Sequence, residues 1–138
     1  MTHSDAEVYA LFCQSTIESL RARLGREVSA QEQRCIWNVG SLMMLESVER
    51  TFQEGSLADV ERTLGTMPQW TDERFRRVLS SMVERLPQWL GRPATDAERH
   101  ALGNVEHIGA LASLEERLTS VPPDQREAAL HDTLAPLL

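Results

Sequence analysis

Residues 29–52 read SAQEQRCIWNVGSLMMLESVERTF, and the spacing of the apolar side chains in this stretch is typical of a helix. At 100° per residue, Cys35 and Val39 lie on one face of that helix. A second group of large apolar side chains lies on the opposite face: Trp37, Met44 and Val48. A helix that is apolar on two sides must be covered on two sides, either by other helices of the same chain or by a partner.

The ends of this segment carry start and stop signals. Ser29 and Glu32 form a capping box, in which the hydroxyl and the carboxylate each accept a hydrogen bond from a free backbone N–H group. Gly55 suits the left-handed position that often follows a helix. We therefore predict one uninterrupted helix that starts at Ser29 and ends before Gly55.

The chain resembles itself at an offset of 66 residues. Between positions 15 and 49, 12 of the 35 residues recur 66 positions later without a gap. The match resumes at 63–64 against 133–134, four residues further apart. We interpret this pattern as a tandem duplication of one helical unit. The predicted organisation is a single all-helical domain over 1–138, with repeat one at about 4–67 and repeat two at about 71–138.

Helix-start and helix-stop signals predict six helices, arranged as a bundle of two pseudo-symmetric three-helix repeats, each long–long–short. Gly65 and Pro68 are predicted to end the short helix of repeat one. Pro87 is predicted to end the fourth helix at Leu86, because proline removes a backbone donor and clashes with the preceding turn. No segment alternates polar and apolar residues as a strand does. The predicted helices cover about 5–24, 29–54, 57–64, 71–86, 95–118 and 124–134.

The two predicted central helices differ in side-chain size at matched positions. The matched pairs are Trp37/Gly103, Met43/Gly109 and Met44/Ala110. A glycine inside a helix costs about 1 kcal/mol relative to alanine, and close packing against a backbone or a large side chain would explain its presence. We predict a notch on the second central helix that is filled by the first central helix or by another chain.

Composition and charge restrict the possible partners. The chain has a net charge of −7, and all 14 of its basic residues are arginines. This balance disfavours a surface that follows nucleic-acid phosphates. Cys13 and Cys35 occupy apolar helix positions, as reduced core cysteines do. No apolar run is long enough for a membrane span, and the first residues lack the basic region of a signal peptide, so we expect a cytoplasmic protein.

Polar side chains on the apolar helices are the candidates for a small site. On a continuous helix, His100, Asn104 and His107 would share one face, but a metal site needs further convergent ligands. Asn38 and Asn104 could line a ligand cavity between the repeats, or could make buried hydrogen bonds that hold a loop. We favour the structural role, and we expect no metal and no cofactor.

The sequence contains none of the phosphate-binding, zinc-protease, dithiol or nucleophile-elbow motifs that identify many enzymes. We therefore expect a binding protein without catalytic residues. The first hypothesis is a protein-interaction module of the inhibitor, immunity, adaptor or anti-factor type, whose partner is another protein or a second copy of the chain. The alternatives are a small-ligand or sensor domain and a nucleic-acid-associated regulator. The candidate binding residues are Trp37, Asn38, Met44, Val48, His100, Asn104 and His107.

Overall fold

All regular secondary structure in residues 4–138, the part of the chain that this computed structural model describes, is helical. Seven α-helices and two short 3₁₀-helices occur there, so the predicted all-α class is confirmed and the predicted number of six helices is wrong. None of these helices has the length and apolar character of a membrane span. In chain order the α-helices are α1 (Asp5–Leu24), α2 (Ala30–Trp37), α3 (Leu42–Glu54), α4 (Leu57–Leu90), α5 (Asp96–Gly103), α6 (Ile108–Ser120) and α7 (Arg126–Leu134). The 3₁₀-helices are Pro123–Gln125 and Ala135–Leu137.

The chain divides into two compact units, and the boundary lies inside α4, between Phe75 and Arg76. Unit 1 comprises α1 to α3 and the first part of α4, and unit 2 comprises the rest of the described chain. Each unit has its own buried apolar core. The core of unit 1 includes Leu20, Ile36, Leu45, Phe52 and Val60. The core of unit 2 includes Met82, Leu86, Leu102, Leu111, Leu118 and Leu130.

The predicted central helix of 29–54 is divided by a turn into α2 and α3. Asn38 leaves the helical conformation with φ −97° and ψ 9°, and Gly40 is left-handed with φ 78°. Ser41 then caps α3, because its hydroxyl accepts a hydrogen bond from the amide of Met44 at 3.3 Å. A left-handed glycine interrupts the helical backbone, and the serine that follows starts a new helix.

The predicted helix of 95–118 is also interrupted, between α5 and α6, although no residue of 104–107 is left-handed. Asn104 has φ −97° and ψ 6°, close to the values of Asn38. His107 caps α6, because its Nδ1 accepts a hydrogen bond from the amide of Ala110 at 3.1 Å. Both breaks therefore combine an asparagine at the end of the first helix with a capping side chain three residues later.

α4 runs without interruption through Gly65, Pro68 and Pro87, where the sequence predicts breaks. An interior proline costs about 3 kcal/mol, since it removes one helical hydrogen bond and strains the preceding turn. Burial along α4 offsets this cost. Thr71, predicted to start a helix, lies inside α4 and donates its hydroxyl to the Met67 carbonyl at 2.6 Å. The buried residues along α4 include Val60, Met67, Thr71, Phe75, Met82 and Leu86.

Capping side chains mark several of the helix starts. The capping boxes that begin at Ser29 and at Thr95 are both formed. Gly55 ends α3 with φ −70°, so the predicted left-handed conformation is wrong there. α7 begins at Arg126 without a side-chain cap, two residues after its predicted start.

Candidate functional site

The candidate binding residues fall into two groups, one in each unit. In unit 1, Asn38 and Val48 are buried, Trp37 is half-buried and Met44 is exposed. The expected strip of Trp37, Met44 and Val48 does not form there. The reason is that α2 ends at Trp37, so the 100° spacing does not continue to Met44.

Tyr9 on α1 closes the turn between α2 and α3. Its hydroxyl donates a hydrogen bond to the Trp37 carbonyl at 2.7 Å and accepts one from the Gly40 amide at 2.8 Å. The rings of Tyr9 and Trp37 meet edge to face, with their centroids 6.4 Å apart. Burial raises the pKa of Tyr9, and the neighbouring Cys13 raises it further. Tyr9 is therefore a neutral structural hydroxyl rather than an acid or a base.

The part of α4 that belongs to unit 1 covers this turn. The Nε of Arg74 donates a hydrogen bond to the Val39 carbonyl at 3.3 Å. Arg34 on α2 pairs with Asp72 at 3.0 Å, and its guanidinium carbon lies 5.3 Å from the ring centroid of Phe75. Val39 is fully buried as a result. Asn38 and Val39 are therefore inaccessible to ligands.

The first turn of α3 exposes three large apolar side chains in succession. Leu42 is 41% exposed, Met43 is 79% exposed and Met44 is 42% exposed. These residues are the Leu42–Met44 patch. On α1, which packs against α3, Leu11 and Phe12 are also exposed. Adjacent large apolar groups in water are unfavourable, and their burial favours contact with another molecule.

In unit 2, the turn between α5 and α6 is open to solvent. Asn104 and Glu106 are exposed, and Val105 is partly exposed. A pocket of about 250 Å³ lies beside this turn, between α6 and the end of α7. The residues that line the pocket include Asn104, Val105, Ala110, Leu114, Leu134 and Leu137.

Only one of the three candidates in unit 2 lines this pocket. Asn104 does so, whereas His100 is exposed on α5. His107 caps α6, and its Nε2 lies 4.0 Å from a carboxylate oxygen of Glu106. The prediction that His100, Asn104 and His107 share one helix face is wrong, because α5 ends at Gly103.

Gly103 does not form the predicted notch. It is exposed, and a Cβ atom added to it would lie 3.9 Å from Leu79 Cδ2, which is an ordinary contact. Close packing is therefore not the reason for a glycine at this position. Gly109 lies in the first turn of α6 and is buried. Close packing of a large side chain against Gly109 stays a prediction.

A buried carboxylate in unit 2 joins α5 to α7. Glu98 accepts two hydrogen bonds from Arg92, at 2.9 and 2.7 Å, and one from the Thr95 amide at 2.8 Å. The Nε2 of His131 lies 2.7 Å from a carboxylate oxygen of Glu98, and Arg92 also donates to Glu127 at 2.8 Å. The hydrogen bonds from Arg92 hold the pKa of Glu98 far below its ordinary range, against the opposing effect of burial.

The same cluster contains three atoms that could ligate a metal. Ligand atoms of Glu98, Glu127 and His131 lie within 4.8 Å of one another. The guanidinium of Arg92 is hydrogen-bonded to both carboxylates, so a cation already pairs with them. We therefore interpret the cluster as an ion-pair network. The sequence did not indicate it, because His131 lies 33 residues from Glu98 and no local spacing connects the two.

Unit 1 contains a simpler pair at the matched positions. Arg26 donates two hydrogen bonds of 3.0 Å to Glu32. These bonds lower the pKa of Glu32 to about 2. A groove of about 300 Å³ lies beside the pair, and Cys35 and Met67 are among its lining residues. The carboxylate of Glu32 therefore remains ionised and serves the capping box of α2.

Comparison of the chain with protein-family models, with curated proteins and with solved structures finds no match.

Proposed function

We propose that this chain is a helical protein-interaction module of the inhibitor, immunity, adaptor or anti-factor type, which binds another protein and carries out no catalysis. The observation that carries this proposal is the Leu42–Met44 patch, whose central residue is 79% exposed. Methionine side chains are flexible and polarizable, and they adapt to irregular apolar surfaces. Contact with a partner would remove the patch from water, which is favourable by about 25 cal/mol per Å².

Side-chain chemistry supports binding over catalysis. Burial raises the pKa of Tyr9, and it raises the pKa of the Cys13 thiol to about 12. Both groups therefore stay protonated at neutral pH, whereas a nucleophilic thiol needs a lowered pKa. The ionised carboxylates of Glu32 and Glu98 are held by arginines and by backbone amides. The net charge of −7 favours a protein partner over a nucleic acid.

We further propose that the module consists of two tandem copies of one helical pattern in a bundle. Local geometry at the 66-residue offset supports this. Gly25 and Gly91 are left-handed with φ 66° and 69°, and Asn38 and Asn104 have nearly identical torsions. The capping boxes of α2 and α5 are also 66 residues apart. In each of them an arginine donates two hydrogen bonds to the glutamate. We place the module in the cytoplasm, since Cys13 and Cys35 are buried free thiols that suit a reducing compartment.

The decisive experiment replaces Met43 and Met44 by serine in one variant. We expect stability to change by no more than about 0.5 kcal/mol, because both side chains are exposed. Light scattering after size-exclusion chromatography measures self-association. To measure hetero-association, a partner is captured from cells, identified and then titrated against the chain. We expect the affinity to fall by about 30-fold, the effect of losing a binding hot spot of about 2 kcal/mol.

Leu57→Ser is the matched control, because Leu57 is an exposed apolar residue at the start of α4 and lies outside the patch. The control should bind as the unaltered chain does. If the double methionine variant keeps both its oligomeric state and its partner affinity, the proposal is wrong.

A small-ligand-binding domain is the second candidate, favoured by the pocket beside Asn104. This pocket lies within unit 2, and its volume of about 250 Å³ is near the lower limit for ligand sites. Native mass spectrometry of the purified chain would reveal a retained small molecule. A molecule that is retained by the unaltered chain and lost from an Ala110→Trp variant would favour this function over protein binding.

A further inference from the structure

The turns that follow α2 and α5 begin with the same backbone conformation. Asn38 and Asn104 have φ −97° in both cases, with ψ 9° and 6°. The amides of Val39 and Val105 each donate a 3.2 Å hydrogen bond to the carbonyl three residues earlier. A group that recognises the Val39 carbonyl at the first helix end finds a matched carbonyl at Val105, although the next residue is left-handed at Gly40 and not at Glu106.

In unit 1, α4 provides such a group. Arg74 donates a hydrogen bond to the Val39 carbonyl at 3.3 Å. Thr71, one helical turn before Arg74, is fully buried. Asp72 and Phe75 engage Arg34 from the same segment. One amphipathic helical segment thus supplies a cation for the carbonyl, a buried small residue and an aromatic ring.

In unit 2, the matched surface is exposed. Asn104 is exposed where Asn38 is fully buried. Leu137 is 37% exposed. Its counterpart is Met67, because the offset between the repeats is 70 residues in this part of the chain, and Met67 is 1% exposed. We use the name α5–α6 face for this surface, which is formed by Asn104, Val105, Glu106, Ala110, Leu134 and Leu137.

We propose that the α5–α6 face binds an amphipathic, arginine-bearing helix of a partner protein, in the manner in which residues 71–75 cover the turn of unit 1. The arginine of that helix donates to the Val105 carbonyl. Its apolar side chains fill the pocket over Ala110, Leu134 and Leu137. This is the helix-in-groove mode of recognition, and it uses a surface distinct from the Leu42–Met44 patch.

Charge at the rim favours a basic helix. The side chain of Glu106 is 88% exposed at the edge of the pocket. An arginine on the incoming helix would meet the Val105 carbonyl and the carboxylate of Glu106 together, and such charge-assisted hydrogen bonds are about twice as strong as neutral ones. A second copy of the chain does not offer its own residues 71–75, because they are already engaged in unit 1.

The chain itself supplies the probe for a test. A labelled synthetic peptide of residues 66–79, TMPQWTDERFRRVL, contains the covering segment, and its binding to the full chain can be followed by fluorescence anisotropy. We expect saturable binding that weakens at least tenfold when the peptide carries Arg74→Ala. We also expect at least a tenfold loss for an Ala110→Trp variant of the chain, in which the indole fills the pocket.

Ala128→Trp is the matched control, because Ala128 is exposed on α7 and does not line the pocket. It should bind the peptide as the unaltered chain does. Glu106→Arg is a second variant that does not disturb the fold, since the side chain is exposed, and it should weaken binding severalfold at low salt. The Met43→Ser, Met44→Ser double variant should keep full affinity for the peptide, which separates this inference from the proposed function.

Three results would overturn the inference. The first is the absence of saturable peptide binding to the unaltered chain. The second is equal binding by the Ala110→Trp and Ala128→Trp variants, which would locate the peptide elsewhere. The third is self-association of the unaltered chain that Ala110→Trp abolishes, which would identify a second copy as the occupant of the α5–α6 face.

Discussion

The hydroxyl of Tyr9 lies 2.7 Å from the carbonyl oxygen of Trp37, and this hydrogen bond connects the first helix to the end of the second. The same hydroxyl accepts the Gly40 amide at 2.8 Å. One side chain therefore satisfies a carbonyl and an amide that the break in the helix would otherwise leave unpaired. The turn between α2 and α3 depends on a residue 28 positions away from Trp37.

Tyr9→Phe tests this connection. The substitution preserves the ring but removes the hydroxyl, and leaving buried polar groups without partners costs about 1–3 kcal/mol. We expect the midpoint of urea unfolding to fall accordingly, with an unchanged slope. Hydrogen exchange of the Gly40 amide should become faster in the native state.

Ser80→Ala is the control for Tyr9→Phe, because it removes a hydroxyl from an exposed position on α4. Its effect should stay within about 0.5 kcal/mol. Equal stability of the two variants, together with unchanged exchange at Gly40, would contradict a structural role for the Tyr9 hydroxyl.

Two glycines show why helix breaks could be predicted only in part from the sequence. Gly40 and Gly65 both interrupt helical patterns, and local signals assign the break to Gly65 instead of Gly40. The structure does the opposite. Gly40 becomes left-handed where the distant Tyr9 accepts its N–H group. Gly65 stays helical, because Val60 and Met67 hold α4 in the core of unit 1.

The capping boxes were predictable, since each depends on residues three positions apart. The candidate site was only partly predictable, because the helical wheel assumes a continuous helix. Met44 proved to be exposed and Asn104 to line a pocket, whereas Val48 is buried. Reading Ser41 as a helix cap would have placed Met44 in an exposed first turn.

The lowered pKa of Glu98 predicts how the stability of the fold depends on pH. Its pKa in the folded chain lies well below the ordinary value of about 4.3 for an unfolded chain. A lowered pKa contributes stability that is fully present above the unfolded value and is lost as the pH falls towards the folded value. We expect the unaltered chain to lose stability between about pH 5 and pH 2, and a Glu98→Gln variant to lose less over that window.

Glutamine is the appropriate substitution, because it can still form the capping box while lacking the charge. At pH 7, loss of the charged hydrogen bonds from Arg92 should cost about 2–3 kcal/mol. Glu32→Gln is the comparison, since Glu32 is more exposed and pairs with Arg26 alone, and it should cost about 1 kcal/mol or less. Identical losses in thermal unfolding for the two variants would contradict the importance of the network around Glu98.

The two cysteines are buried free thiols, as the sequence predicts. Burial raises the pKa of Cys13 to about 12, and it also raises the pKa of Cys35. Because the thiolate is the reactive form, we expect native labelling with an aromatic disulfide at pH 8 to be slow for both. Labelling in guanidinium should be complete within seconds. Rapid reaction of either thiol in the native chain would show that its site opens to solvent.

The last prediction tests the continuity of α4 at Gly65. A Cβ added at this position would meet no atom within 4 Å, and the residue is exposed in the interior of a helix. Alanine lowers the entropy of the unfolded chain and is a better helix former, so Gly65→Ala should stabilise the chain by about 0.5–1 kcal/mol.

Gly25 also has open space around its Cβ position, but its φ is 66°. Gly25→Ala should therefore destabilise by about 1–2 kcal/mol, the cost of a left-handed conformation for a residue with a side chain. If α4 were instead broken at Gly65 by a left-handed glycine, both substitutions would destabilise. The sign of the change in the unfolding midpoint for Gly65→Ala thus distinguishes one continuous helix from the two that the sequence alone predicts.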